Sequence, residues 1–385
     1  MFGGTTTILD FVTVPPGAAI GPLVDPRVTA WASSSRCDYS FHLWLHGDLT
    51  DGQLAEVPGL IDRGFPSFKV FTTDGLPNRR GRKVPMGSLL DLLVLTARHQ
   101  GIVALHAEDD DLVMHMYDQL TRAGETHFAN MPRVHSGLAE ELAFRRVIRL
   151  AAEVRGAPVY FMHVSSAGGV AAIAEARAAG QPVFGETLHQ YALRTEAAYQ
   201  LEAGQQHHTY PSLKTPSDVE AIWSGLGGGV LSTFGTDEIA TSRAMKLAGD
   251  RIDNVVGGHV GIEPRMALLY TEIVDRRGLG VDRFVELTST NASRLFGLYP
   301  AKGVIAVGSD ADLVVLETGL DKGIRASELH ESDYSPWEGW RVTAWPSTVI
   351  RRGATMILDG REVDLRPGRL VGRHIRPDVF EGPVV

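Results

Sequence analysis

Four side chains that can hold a cation or move a proton share one kind of address, the C-terminal end of a short apolar run. They are Lys69 in SFKVF, His106 in IVALHAED, His163 in PVYFMHVSS and Asp237 in LSTFGTDE. Neutral imidazoles and carboxylates ligate divalent cations. A single histidine after an apolar run is more often a hydrogen-bonded structural residue than a ligand, so the weight rests on four residues recurring at one address. Lys69 is the informative member, because an ammonium inside an apolar strand must find a partner or change its chemical state. As an ammonium it repels a cation. Addition of CO2 to its nitrogen makes a carbamate, an anionic two-oxygen ligand able to bridge two cations. The other reading is a lysine whose stem runs along the strand and whose head pairs with a carboxylate.

What must position these residues is a repeated strand–helix unit. From Phe2 to about Pro300, short apolar runs alternate with longer amphipathic stretches. The pattern predicts strands at TTTILDFV, DYSFHLWL, SFKVFTT, IVALHAE, PVYFMHVS, PVFGETL and GVLSTFGTD, and helices at GSLLDLLVLTARHQ, AEELAFRRVIRLAAEVRG and SAGGVAAIAEARAAG. Seven strands joined by helices predict a (β/α)8 TIM barrel lacking its first strand, in which the C-terminal strand ends converge on one face. The opening MFGGTTTILDFV enters a strand with no helix before it, so the remaining strand is expected upstream of Met1. After LFGLYP, short β-rich runs punctuated by Gly and Asp replace the long helices. The expected organisation is a barrel over 1–300, part of a small β-sandwich domain over 301–365, and a C-terminal tail over 366–385 that lies on a neighbour or in solvent.

The chain has 385 residues, 44% hydrophobic and 22% charged, in the range of a soluble globular enzyme. A net charge of −9 without a basic block leaves no electrostatic footprint for nucleic acid or an anionic membrane. A small-molecule partner is expected instead. The lone Cys37 cannot form an internal disulfide, no apolar run approaches the roughly 20 residues of a membrane span, and no leader-like segment is evident. The cytoplasm is therefore the expected compartment.

Ten segments, taken in order, carry a resemblance: FGGTTTILDFV, DYSFHLWL, FKVF, LHAED, HVSSAGG, GETLHQY, TDE, GIEPRMALLYTE, TSTNASRLFGLYPAKGVIAVGSDADLVVLE and HESDYSPWEGWRVTAWP. The sequence resembles the cyclic amidohydrolases, most closely the hydantoinase and dihydropyrimidinase branch, over nearly its whole length. The resemblance implies a homotetramer or dimer with a centre of two divalent cations, commonly zinc. In that family the ligands are a His-x-His pair on the first barrel strand, a carboxylated lysine, two later histidines and an aspartate. Lys69 matches the carboxylated, bridging lysine, His106 and His163 the later histidines, and Asp237 the aspartate that also handles protons. The His-x-His pair has no counterpart in these residues, so the chain as written is expected to hold metal weakly and to lack activity on its own. His42 and His46 are not substitutes, because the family's histidine in the equivalent of FHLWL is not a ligand.

The reaction so implied is hydrolytic opening of a cyclic amide such as a hydantoin, a dihydropyrimidine or a related ureide. A hydroxide generated at the cations attacks the ring carbonyl, and Asp237 passes the proton to the leaving nitrogen. Ring contacts map onto Tyr210 in HTYPSLKT, Val260 in HVGIEPR and Asn291 in TSTNASRLFG; Asn291 is equally a candidate helix cap. Two positions depart from the family. Hydantoinases usually carry an oxyanion-donating tyrosine five residues after the lysine, where this chain has Asp74, with Arg79 or Arg80 as conceivable replacement donors. The residue after the aspartate, usually histidine, is Glu238, which raises the proton affinity of Asp237, adds a ligand, or points away into solvent. The alternatives are an allantoinase- or dihydroorotase-like specificity, and a non-catalytic dihydropyrimidinase-like binding or scaffold protein.

Overall fold

Each expected run of β-branched and aromatic residues forms a strand in the computed structural model, which describes residues 1–380. The strands are β1 (Thr7–Val14), β2 (Asp38–Leu45), β3 (Ser67–Phe71), β4 (Ile102–His106), β5 (Val159–Phe161), β6 (Val183–Leu188) and β7 (Thr233–Gly235). They form one seven-stranded sheet in sequential order, parallel throughout. β1 and β7 end the sheet, each with one strand neighbour among the described residues. Parallel strands covered on both faces read as continuous apolar runs, and β2 is buried along nearly its whole length.

The helices return the chain from the C-terminal ends of the strands. Met86–His99, Gly137–Ala151 and Ala167–Ala178 coincide with the expected amphipathic stretches. Two strand–helix turns have the same construction. Asp109, three residues past His106, accepts from Leu112 N and caps the helix Asp110–Ala123; Ser166, three past His163, accepts from Gly169 N and caps Ala167–Ala178. The cap stops the strand and starts the helix within one turn, which leaves the histidine at the rim.

The second unit is a four-stranded antiparallel sheet, ordered β11–β10–β9–β8, from β8 (Leu313–Gly323), β9 (Arg341–Arg351), β10 (Ala354–Leu358) and β11 (Arg361–Glu362). Its junction with the barrel is part apolar, with Ala267 and Leu268 packed against Ile324, Trp337 and Val342, and part ionic. Buried Lys302 donates to Asp38 at the start of β2 (2.7 Å) and to Asp312 (2.6 Å) before β8. Past Arg366 the chain packs on its own barrel. Leu370 bridges to Tyr39, and the buried Arg373 guanidinium donates to Ser40 Oγ, Ser67 Oγ and the Phe41 carbonyl. Residues 381–385 of the expected tail lie outside the described residues.

Candidate active site

Lys69 projects from β3 into the barrel interior and is 3% exposed. Its Nζ reaches the Met162 thioether (2.7 Å) and lies 5.1 Å and 5.6 Å from the Phe71 and Phe11 ring centres; no carboxylate stands within ion-pair distance among the described residues. Burial lowers its pKa to about 8, against the opposing pull of Asp237 and Glu186. A carboxylate-paired strand lysine is thus not what the barrel holds. At pH 7 about a tenth of a lysine with this pKa is the neutral amine that CO2 requires, against less than about a thousandth for an ordinary one.

His106 ends β4 with its ring stacked on Phe71 at 4.4 Å. Its Nδ1 stands 3.1 Å from His163 Nε2, and its Nε2 is 2.8 Å from Glu108 Oε2. Glu108 also meets His135 Nδ1 at 2.9 Å, and His135 Nε2 meets the Tyr117 hydroxyl at 3.1 Å. Burial alone raises the Glu108 carboxyl, but His135 and His106 hold it well below the usual carboxylate range. Burial holds both His106 and His163 below the ordinary histidine value, so at neutral pH they are uncharged bases. With Nε2–H committed to Glu108, His106 presents the Nδ1 lone pair toward His163.

His163 and Asp237 both have φ of 44°, the left-handed region that non-glycine residues avoid. The turn after His163 is held from two sides. Val164 N donates to Glu186 O, and the Glu140 carboxylate accepts from Ser165 N (3.1 Å) and Ser166 N (2.9 Å). Asp237 follows β7, and burial raises its pKa, opposed by Lys69 and His106. Glu186 on β6 also faces this interior. It accepts from the Tyr160 hydroxyl (2.9 Å) and lies so close to Gly235 that a Cβ there would stand 2.3 Å from its carboxyl carbon. Burial raises it to about 7.

These groups line a cavity of about 680 Å3 together with residues of β1 and β7, the two ends of the sheet. Lys69, His106, His163, Asp237, Asp74 and Tyr210 are on its wall; Val260 and Asn291 are not. Asn291 does not cap a helix through its side chain, which donates to Ser232 O. Asp74 accepts from Arg82 N (2.8 Å) and Lys83 N (2.9 Å) and so closes its own loop. Arg79 reaches the wall and Arg80 does not. Glu238 does not point into solvent; it lines the cavity with Asp237. The Glu238 Oε2 accepts from Ile262 N, and burial, then the facing Glu331 and, less strongly, the charge of Asp237 raise its pKa to about 8. His42 is tied to Ser67 Oγ at 2.8 Å, which agrees with its exclusion as a ligand.

The donor set fits a cation at one position. Two imidazole nitrogens 3.1 Å apart are at the separation of neighbouring ligands in a tetrahedral site with bonds of roughly 2.0–2.1 Å. The outward nitrogen of His106 is held by a carboxylate, the usual support of a metal-bound imidazole. No group of three or more His, Cys, Asp and Glu placed to hold a metal ion occurs among the described residues. The sequence reading did not single out Glu108, His135 or Glu186. Glu186 sits at the same strand-end address as the others and was findable by it. His135 carries no local signal.

Residues 133–356 match the model of the amidohydrolase family. The chain is 32% identical to a D-phenylhydantoinase of Escherichia coli O1:K1 over 100% of its own length and 82% of that protein's. It is 32% identical to a D-hydantoinase of Geobacillus stearothermophilus over 95% of this chain and 78% of that one. The crystal structure of dihydropyrimidinase from Brevibacillus agri NCHU1002 superposes with a TM-score of 0.92 at 31% identity, covering 97% of this chain and 81% of that one.

Proposed function

The chain belongs to the amidohydrolase family, and on that premise we propose that it is a metal-dependent hydrolase that opens a cyclic amide ring, a hydantoin, a dihydropyrimidine or a related ureide. The observation that carries the reading is the His106–His163 pair, its nitrogens 3.1 Å apart, facing a buried lysine with no carboxylate partner. In this reading His106 Nδ1, His163 Nε2, Asp237 and a carboxylated Lys69 would hold a centre of two divalent cations, zinc first among candidates, one of them weakly because the His-x-His pair has no counterpart in these residues. When bound, these supply a Lewis acid for the ring carbonyl and an activated water at neutral pH.

The chain's own residues do the rest. Glu108 holds His106 in the tautomer that leaves Nδ1 free. The Asp237 carboxylate, its proton affinity raised by burial, takes the proton from the attacking water and delivers it to the ring nitrogen as the C–N bond breaks. Tyr210 and the Asp74 loop bound the ring. Lys69 as carbamate would be an anion facing Glu186, whose raised proton affinity lets it stay neutral beside one.

We further propose a homo-oligomer, dimer or tetramer, supported by Ile305 and Val307, which stand 87% and 109% exposed. The proposed compartment is the cytoplasm, on the acidic composition and the single Cys37. No helix among the described residues is long and apolar enough to cross a membrane.

The test is ring opening of hydantoin, dihydrouracil, allantoin and dihydroorotate in excess zinc and bicarbonate. Hydantoin or dihydrouracil as the preferred ring supports the reading. Exclusive turnover of allantoin or dihydroorotate moves the specificity to that class, and no turnover by a folded chain that holds two zinc ions points to a binding protein.

A further inference from the structure

The chain carries a net charge of −9, yet residues 79–83, RRGRK, put four cations on the loop after β3. The loop is closed from within by Asp74 Oδ1, which accepts from Arg82 N and Lys83 N. Lys83 is answered by Asp110 at 2.7 Å, and Arg80 does not reach the cavity. Arg79 and Arg82 do reach it. Neither guanidinium makes a hydrogen bond or an ion pair among the described residues. That sets them apart from the other cations on the wall. Arg27 pairs with Asp10 at 2.5 Å, and Arg265 donates to Phe234 O in the field of Glu186 and Glu238. Lys69 belongs to the proposed metal centre. The Trp44 indole and the Thr5 and Thr7 hydroxyls are open donors on the same wall, but they are neutral and select no charge.

The two guanidiniums are near enough to repel each other. Burial, then Arg79, lowers the Arg82 pKa against the pull of Asp74. Arg79 also opposes the rise that burial imposes on Tyr210, so its charge is felt in the cavity and not only in solvent. Asp74 is the carboxylate facing Arg82, and one carboxylate leaves a pair of guanidiniums with uncompensated positive charge. Arg79 is exposed and Arg82 half-buried, as residues at a cavity mouth are. Arg82 lies over the Trp44 ring, 5.4 Å from its centre. Stacking occupies the face of a guanidinium and leaves its N–H edge open. That edge matches a carboxylate, which accepts two parallel hydrogen bonds from it.

We propose that Arg79 and Arg82 form a carboxylate receptor at the mouth of the site, and that the substrate is an anionic cyclic amide, a hydantoin or dihydropyrimidine bearing a carboxylate on the ring or on a short arm. The inference rests on the ring-opening reading and names its substrate class. The receptor takes no part in bond making. It orients the ring by its charged substituent and selects against neutral and apolar ones.

The test sets each carboxylate against its neutral amide, hydantoin-5-acetate against hydantoin-5-acetamide and dihydroorotate against dihydroorotamide. The acid-to-amide ratio is read as affinity by calorimetry on the metal-free chain, and as kcat/KM in excess zinc and bicarbonate. In the unsubstituted chain at least one acid should be favoured about 10- to 100-fold, the range of one to two charge-assisted hydrogen bonds. Arg79→Gln/Arg82→Gln should bring that ratio to within about threefold of unity. Arg80→Gln removes an equal kind of charge from outside the receptor and should leave the ratio within about threefold of its starting value. The preference of the unsubstituted chain is read whether or not the double variant folds well. A ratio near one in the unsubstituted chain, a preference that survives in the folded double variant, or an equal loss in Arg80→Gln overturns the inference, and the ring-opening reading stands as long as any of these rings is opened. An acid preference carried by Arg79 and Arg82, with no ring opened by a chain that holds two zinc ions, supports the receptor and overturns the reading. A chain that binds neither acids nor amides and opens no ring overturns both.

Discussion

Replacing Glu108 by Gln should weaken zinc binding about 10- to 100-fold, because this carboxylate is what sets the tautomer and basicity of His106. Glu108 is fully buried and its two oxygens serve two rings, His106 Nε2 at 2.8 Å and His135 Nδ1 at 2.9 Å. Glutamine keeps the shape but supplies one acceptor and one NH2 group, and no charge. The acceptor goes to His106 Nε2–H, while the NH2 turns to His135 Nδ1, whose ring then donates from Nε2 to Tyr117. His106 therefore keeps its tautomer and loses the anion that made it a strong base. The expected loss corresponds to about 1.4–2.7 kcal/mol of binding, read by competition with a chromogenic chelator. The metal-free proteins supply a second check. The folded-state pKa of Glu108 lies well below its ordinary value, so its stabilisation is complete above the unfolded carboxyl pKa of about 4.3 and disappears as pH falls through the folded value. The stability difference between the two proteins should shrink correspondingly on acidification. Zinc affinity unchanged within a factor of two, in a variant of unchanged stability, would refute the assignment of Glu108 as the support of His106.

Lys69→Ala should abolish turnover, and short carboxylic acids at high concentration should restore part of it by taking the place of the carbamate; full activity without them would make the lysine structural. In metal- and CO2-free protein, the depressed pKa of Lys69, about 8, means that the fold disfavours its ammonium. The unfolded chain then binds more protons between pH 8 and about 10.4, and the stability deficit relative to Lys69→Met should shrink by about 3 kcal/mol across that window. A deficit independent of pH in chemical denaturation would contradict the burial argument. Arg373→Ala leaves Ser40, Ser67 and the Phe41 carbonyl without their buried donor and should cost about 3 kcal/mol or more. A loss below about 0.5 kcal/mol would mean that the tail is not docked as described.

The strands were legible because each is a run of β-branched and aromatic residues bounded by turn signals, and the four candidate ligands could be picked out because they share one address at the strand ends. The network behind them was not. Glu108 lies two residues past His106 and reads as part of an acidic helix start, while its second partner His135 is 27 residues further on and meets it only because the helices Asp110–Ala123 and Gly137–Ala151 fold back over the β4 rim. The segment after Arg366 misled for a different reason. Its Arg, Pro and Gly content reads as solvent-seeking, yet Arg373 is buried through acceptors on residues 306 and 333 positions away, and such pairing has no local signature. Asp74 shows the converse limit, since sequence exposes the departure from the family but not that one oxygen of the carboxylate, Oδ1, accepts from two backbone amides of its own loop.

The central claim, that a carboxylated Lys69 with His106, His163 and Asp237 runs metal-dependent ring opening, is tested most directly by turnover of the preferred cyclic amide after chelation and reconstitution. The account predicts that activity is lost on chelation and returns only when excess zinc and bicarbonate are supplied together, since zinc alone meets a lysine without its carbamate. Turnover that survives chelation, or returns equally well with zinc in CO2-free buffer, would contradict it.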